Sequence, residues 1–496
     1  MMEALIFEKS KRARKAVSLP EVDLAEEIEK RVPSNYLRKT GLGLPEVSEP
    51  DLVRHFTRLS QRNMSIDTNF YPLGSCTMKY NPKINETLAN LPGLSELHPY
   101  QPSSGVQGIL HILYETGRML EEISGMDGIS LQPAAGAHGE LTSMLMIKAY
   151  FEDRKEKRVK ILIPDSAHGT NPASSSLAGF KVAKIDSNPE GEVDLKCLSR
   201  NMDEKVACIM LTIPNTLGLF EKNILDIAQI IHSKGGFIYL DGANLNALMG
   251  ITRPGDFGVD VMHFNLHKTF STPHGGGGPG SGPVGTKEKL TAYLPVPTIE
   301  KKGDDYWLNY QRSKSIGKVR SFYGNVRVVI KTYCYLRILG KEGLRQVSED
   351  AILSANYIRK KLESYYPSPY KGACMHECVL SAKNKREKGV RALDIAKRLL
   401  DFGIHPPTTY FPLIVEEALM IEPTETESKE TLDAFIDALV QISREIEKNP
   451  SLVKEAPHTT PILRLDEVEA NRSPQVKMEE QGLTGFQTRI NKGARG

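Results

Sequence analysis

The chain has 496 residues, 40% of them hydrophobic and 25% charged, with a net charge of +3. That length exceeds the ~100–200 residues of one domain, so it implies two domains with appendages, in an ordinary globular composition. The near balance of charge argues against nucleic-acid and membrane partners, and no apolar run approaches the ~20 residues of a membrane span. Six cysteines do not make a disulfide framework over this length. With no basic-then-apolar secretory layout at the N-terminus, they favour a reducing cytoplasm.

In chain order, residues 1–65 are polar and read as an extended N-terminal arm, with a basic cluster over 9–15. Residues 66–340 predict a large domain. Its first loop, residues 71–82, is dense in Gly, Ser, Thr and Asn; Cys76 within it reads as a packed residue rather than a reactive thiol. The stretch 132–140 opens a helix with small residues. Gly136 and Ala137 there leave backbone N–H groups free for a phosphate, aided by the helix dipole. An apolar strand over 159–163 runs into a loop carrying His168, placed to lie flat on a cofactor ring. A second strand, 206–211, runs into Asn215 and Thr216. Either one is a hydrogen-bond partner for a cofactor's phenolic oxygen or a substrate carboxylate, and turn chemistry after Pro214 is the alternative. Ile224, Ala228 and Ile231 share one helical face, which Gly235 ends. A third strand, 237–240, then ends in Asp241, followed by Gly242 and Ala243.

Strand, helix, strand at this spacing implies right-handed crossovers and a mostly parallel sheet, with ligands beyond the carboxyl ends of the strands. Downstream, Lys268 opens a glycine-rich loop that includes 275–278. A strand-end Asp paired with such a Lys is what pyridoxal 5'-phosphate chemistry requires. The Asp holds the pyridine nitrogen protonated and the Lys forms the Schiff base. His168 and the small Ala243 would face the ring from opposite sides, and Thr269 joins Gly136 and Ala137 as a phosphate ligand. Residues 341–455 predict a small α+β domain. Its helices cover 390–400, stopped at Gly403, and the run through Leu432, Phe435, Ile436, Leu439 and Val440. Short apolar runs lie at 411–415 and 419–421. Cys374, His376 and Cys378 read as a strand entering the core, so no metal site is assigned. Residues 456–496 read as a C-terminal tail.

The stretches 71–82, His98-Pro-Tyr-Gln-Pro102, 132–140, His168-Gly-Thr-Asn-Pro172 and 265–279 together resemble the P-protein family of the glycine cleavage system. These are pyridoxal-phosphate glycine dehydrogenases (decarboxylating). The resemblance runs through most of the chain, to Pro457-His458-Thr459-Thr460-Pro461, and stops short of the tail after Glu469. It implies an α/β, aspartate-aminotransferase-like fold (fold type I). The implied reaction is glycine decarboxylation, with the aminomethyl group passed to the lipoyl arm of an H-protein. Fused members of the family are about twice this length. The chain therefore resembles the second of two subunits, the one that keeps the Schiff-base Lys, with a related partner, glycine dehydrogenase subunit 1, in a heterotetramer. In this fold class, residues 321–325 would reach the cofactor of a neighbouring subunit. Two other readings stay open: a stand-alone pyridoxal phosphate amino-acid decarboxylase, and a silent scaffold. The intact Asp241–Lys268 pair argues against the scaffold.

Overall fold

A computed structural model describes residues 3–20, 28–275 and 280–474. Contacts divide the chain into two compact units, Met1–Asn63 with Glu455–Gly496, and Met64–Lys454. The arm in the first unit is not wholly extended. Glu49–Ser60 is a helix, because the Ser48 hydroxyl accepts from the Asp51 amide and Pro50 sits in the first turn, where its missing N–H is harmless.

The second unit is built on a seven-stranded sheet: β1 (Gly128–Ser130), β2 (Lys160–Pro164), β3 (Lys181–Ile185), β4 (Val206–Thr212), β5 (Phe237–Asp241), β6 (Val261–His263) and β7 (Val284–Thr286). The order is β1-β7-β6-β5-β4-β2-β3. Only β7 runs against its neighbours; β6, β5, β4, β2 and β3 are parallel. Every residue of β4 and β5 is buried, as a strand covered on both faces must be. Alternation along these strands separates the two faces. Cys208, Met210, Phe237 and Tyr239 pack with Met144, Ile147 and Phe151 of the helix Gly136–Asp153. Ile209, Leu211, Ile238 and Leu240 pack against Ile227 and Ile231 of the helix Ile224–Ser233. The same alternation turns Asp241, two residues beyond Tyr239, toward the face that carries the helix Gly136–Asp153.

A hairpin of β8 (Thr298–Lys302) and β9 (Asp305–Asn309) follows. A long helical run, Val326–Leu362, is interrupted at Gly340, whose φ is +60°. Its Val329, Tyr335, Leu336, Leu344 and Val347 belong to the core of the seven-stranded sheet, and Ala355, Ile358 and Leu362 to a second core. That second core covers the antiparallel sheet β10 (Cys378–Ser381), β11 (Thr408–Thr409) and β12 (Ala418–Ile421), ordered β10-β12-β11, with the helices Ala392–Asp401 and Lys429–Lys448. The apolar run 411–415 is not a strand. Pro412 lacks the N–H a ladder needs, and the edge position goes to Thr408–Thr409. Among the described residues no helix is long and apolar enough to cross a membrane. All six cysteines are free thiols.

Candidate active site

The carboxyl ends of β2, β4, β5 and β6 open on one cavity of about 190 Å³. Gly136, Ala137, His168, Thr216, Asp241, Ala243 and Lys268 all line it. Residues from five separate stretches of sequence meet there because parallel strands deliver their following loops to the same edge.

Asp241 is 4% exposed. Its Oδ1 accepts from the Ala243 amide at 3.0 Å and its Oδ2 from Asn171 Nδ2 at 3.1 Å. His263 Nε2 stands 3.6 Å from Oδ1. Burial pushes the carboxyl pKa up, but His263, Lys268 and the two hydrogen bonds outweigh it and hold the group below its ordinary value. A buried carboxylate that stays charged suits a cationic group bound beside it.

The helix Gly136–Asp153 begins without a side-chain cap, so its first N–H groups are left for a ligand. A Cβ on Gly136 would sit 2.5 Å from Asn265 Nδ2 and 3.1 Å from His263 Nε2. The bare glycine is thus part of the cradle. Lys268 reaches across to the loop 71–82, where its Nζ donates to the Ser75 carbonyl at 2.8 Å. His168 is exposed at the cavity wall; its Nδ1 pairs with Thr170 Oγ1 at 3.0 Å and its ring meets Phe411 edge-on. Thr216 donates its hydroxyl to the Ser166 carbonyl at 2.5 Å.

Two expected ligands lie elsewhere. Asn215 is spent on its own turn. Its Oδ1 accepts from the Leu217 and Leu219 amides, and its Nδ2 donates to the Gly191 carbonyl. Thr269 is fully buried, with an unpartnered hydroxyl, and is not among the residues lining the cavity. For Asn215 these bonds are the turn chemistry expected as the alternative. Of the loop 275–278, residues 276–278 lie outside the described residues. In 321–325, Tyr323 is buried in the chain's own core and Asn325 donates to the Ala134 and Gly280 carbonyls of the same chain. Burial raises the Cys76 thiol pKa to about 11, which suits a packed residue.

Sequence reasoning named no role for Glu140, Thr212, Asn244, His263, Asn265 or His267, all of which line the cavity. His263 ends β6, and Asn265 and His267 of the loop and turn after it are linked to it by the contacts His263 Nε2–Asn265 Oδ1 and Asn265 Nδ2–His267 Nε2. Burial lowers the His267 pKa to about 3, so its ring is neutral. Glu140 Oε2, Thr212 Oγ1 and Asn244 Oδ1 are buried at this cavity without a hydrogen-bond partner. Such orphaned polar atoms fit a polar group that enters the site. With anionic Asp241, Lys268 and an uncapped helix start, the residues fit pyridoxal phosphate.

Residues 8–305 match the model of the glycine cleavage system P-protein family, and residues 347–460 match that of the glycine dehydrogenase C-terminal domain. A probable glycine dehydrogenase (decarboxylating) subunit 2 from Caldanaerobacter subterraneus subsp. tengcongensis is 60% identical over 476 residues, 96% of this chain and 98% of that protein. A protein of the same description from Bacillus velezensis is 56% identical over 479 residues, 96% and 98% of the two chains. Among solved structures, an inhibitor-bound glycine decarboxylase (P-protein) of the glycine cleavage system superposes with a TM-score of 0.71 at 21% identity. The match covers 84% of this chain and 94% of that one. The fold is the aspartate-aminotransferase-like fold type I. The chain belongs to the P-protein family of the glycine cleavage system, the decarboxylating glycine dehydrogenases.

Proposed function

We infer that the chain decarboxylates glycine in the glycine cleavage system, with pyridoxal 5'-phosphate held in the cavity at the strand ends. The observation that carries this reading is a buried Asp241, kept charged, in one cavity with Lys268. When bound, the cofactor supplies an electron sink for the pair that departing carbon dioxide leaves behind. Lys268 is the amine that would hold it covalently. Asp241 would keep a proton on its ring nitrogen, maintaining the positive charge that draws those electrons. The amides of Gly136 and Ala137 would take its phosphate, and His168 would pack on one face of its ring with the small Ala243 on the other. The half-buried His267, its pKa lowered to about 3, adds no second cation beside Asp241.

The aminomethyl group then passes to the lipoyl arm of an H-protein, whose disulfide is reduced as the glycine carbon is oxidised. The subunit designation of the relatives supports a related partner, glycine dehydrogenase subunit 1, and the free thiols favour a cytoplasmic setting. The test combines the chain, that partner and lipoylated H-protein, and follows glycine-dependent exchange of labelled bicarbonate. Exchange that needs all three is expected, and no exchange rejects the reading. Turnover by the chain alone would indicate a stand-alone amino-acid decarboxylase.

A further inference from the structure

Two acids from the second core are fully buried against the loop that receives Lys268. Glu377 directly precedes β10 and Glu422 directly follows β12; both are 0% exposed. Glu377 Oε2 accepts from the Ser75 amide at 2.8 Å, and its Oε1 from Asn244 Nδ2 at 3.3 Å. Glu422 Oε2 accepts from the Thr77 amide at 2.8 Å, and its Oε1 from the Thr77 hydroxyl at 2.5 Å. Ser75 and Thr77 have φ of +61° and +47°, a region that side-chain-bearing residues avoid unless their surroundings impose it. Here the amides of both residues are held by the carboxyl groups. The Ser75 carbonyl is the acceptor for Lys268 Nζ.

We propose that Glu377 and Glu422 are positioning residues for Lys268, holding the Ser75 carbonyl where it anchors the lysine amine. The pair works from the second core's sheet, so the lysine of one core is set by acids of the other. His376, Glu377 and Glu422 cluster closely enough to invite a cation. Each carboxylate oxygen, however, already accepts from a donor of this chain, and Lys268 and Lys79 already supply positive charge to Glu422. A proton is the better occupant. Burial, and then the charge of Glu422, push Glu377 well above the usual carboxylate range.

The proposal rests on Lys268 being the cofactor's amine, and its test separates the two. In the full-length, cofactor-free chain, acetylation of Lys268 by limiting acetic anhydride is read by peptide mass spectrometry, with the exposed Lys222 as internal reference. The appearance of the visible band on adding pyridoxal phosphate gives the loading rate. Glu377→Ala and Glu422→Ala should raise the Lys268/Lys222 ratio at least about threefold and slow loading about tenfold. Glu377→Gln and Glu422→Gln, which keep an amide acceptor, should lie between these and wild type. Folded alanine variants with ratio and loading within about twofold of wild type overturn the proposal. If the alanine variants do not fold, the Glu377→Gln, Glu422→Gln double variant decides, and a wild-type ratio in it overturns the proposal. A borohydride-fixed adduct on another lysine of the wild-type chain would refute the cofactor reading instead, and the acetylation ratio would still decide the positioning role.

Discussion

Asp241 illustrates how one residue's role depends on its neighbours. Alone at the end of a buried strand, a carboxyl group would take up a proton. His263, Lys268, Asn171 and the Ala243 amide reverse that and keep it charged. Asp241→Asn should therefore lower glycine-dependent bicarbonate exchange by roughly 10²–10³-fold or more while leaving the cofactor attached; near wild-type exchange would remove its electron-sink role. Lys268→Ala should abolish the borohydride-fixed adduct, and a peptide map of the wild-type chain should place that adduct on the Lys268 peptide. That Asp241 and Lys268 meet at one cavity was legible in the sequence, because a strand-end acid and a lysine opening a glycine loop are unusual company. An asparagine after proline serves a ligand or a turn equally well in sequence, and the bonds of Asn215 to Leu217, Leu219 and Gly191 are those of a turn.

At the scale of elements, two glycines separate packing from function. Gly242 follows β5, and a Cβ there would lie 1.9 Å from the His263 carbonyl oxygen. Backbone cannot yield as a side chain can, so Gly242→Ala should destabilise the chain by about 3 kcal/mol, measured by urea unfolding. At Gly136 the nearest obstacle is the end of the Asn265 side chain, 2.5 Å away. Gly136→Ala should therefore fold but hold pyridoxal phosphate about tenfold more weakly, measured by cofactor dissociation; unchanged affinity would remove Gly136 from the phosphate site. The buried strands were readable from their apolar runs, and so were the helices ended by glycine. The helix Glu49–Ser60 was not, because its Ser48 cap sits in a polar, proline-containing stretch that reads as arm.

Over the whole molecule, buried and half-buried histidines with lowered pKa values shape the response to acid. Burial lowers the pKa of His267 and His376 to about 3 and that of His274 to about 4, from an ordinary 6.5. Below about pH 6.5 the unfolded chain binds protons that the folded chain does not. Stability is thus fully present above that pH and falls as the pH drops toward the folded values. For His274 alone the loss between about pH 7.5 and pH 5 is ~2 kcal/mol. The melting temperature should fall over this range, and His274→Gln should make that fall shallower. An unchanged slope would show that the His274 ring is already charged in the folded state.

The sequence by itself determined the parallel sheet, the strand-end Asp241, Lys268 and the glycine-bearing helix start. Each of these is written in a local signal: an apolar run, a turn residue, or a lysine next to glycines. The tertiary structure decided which polar residues face the cavity and which close loops. It also decided that Glu377 and Glu422, 302 and 345 residues beyond Ser75 and Thr77 in the chain, lie against that loop. No local pattern encodes that meeting, because the hydrogen bonds concerned exist only when two separately built cores bring distant backbone and side chains together.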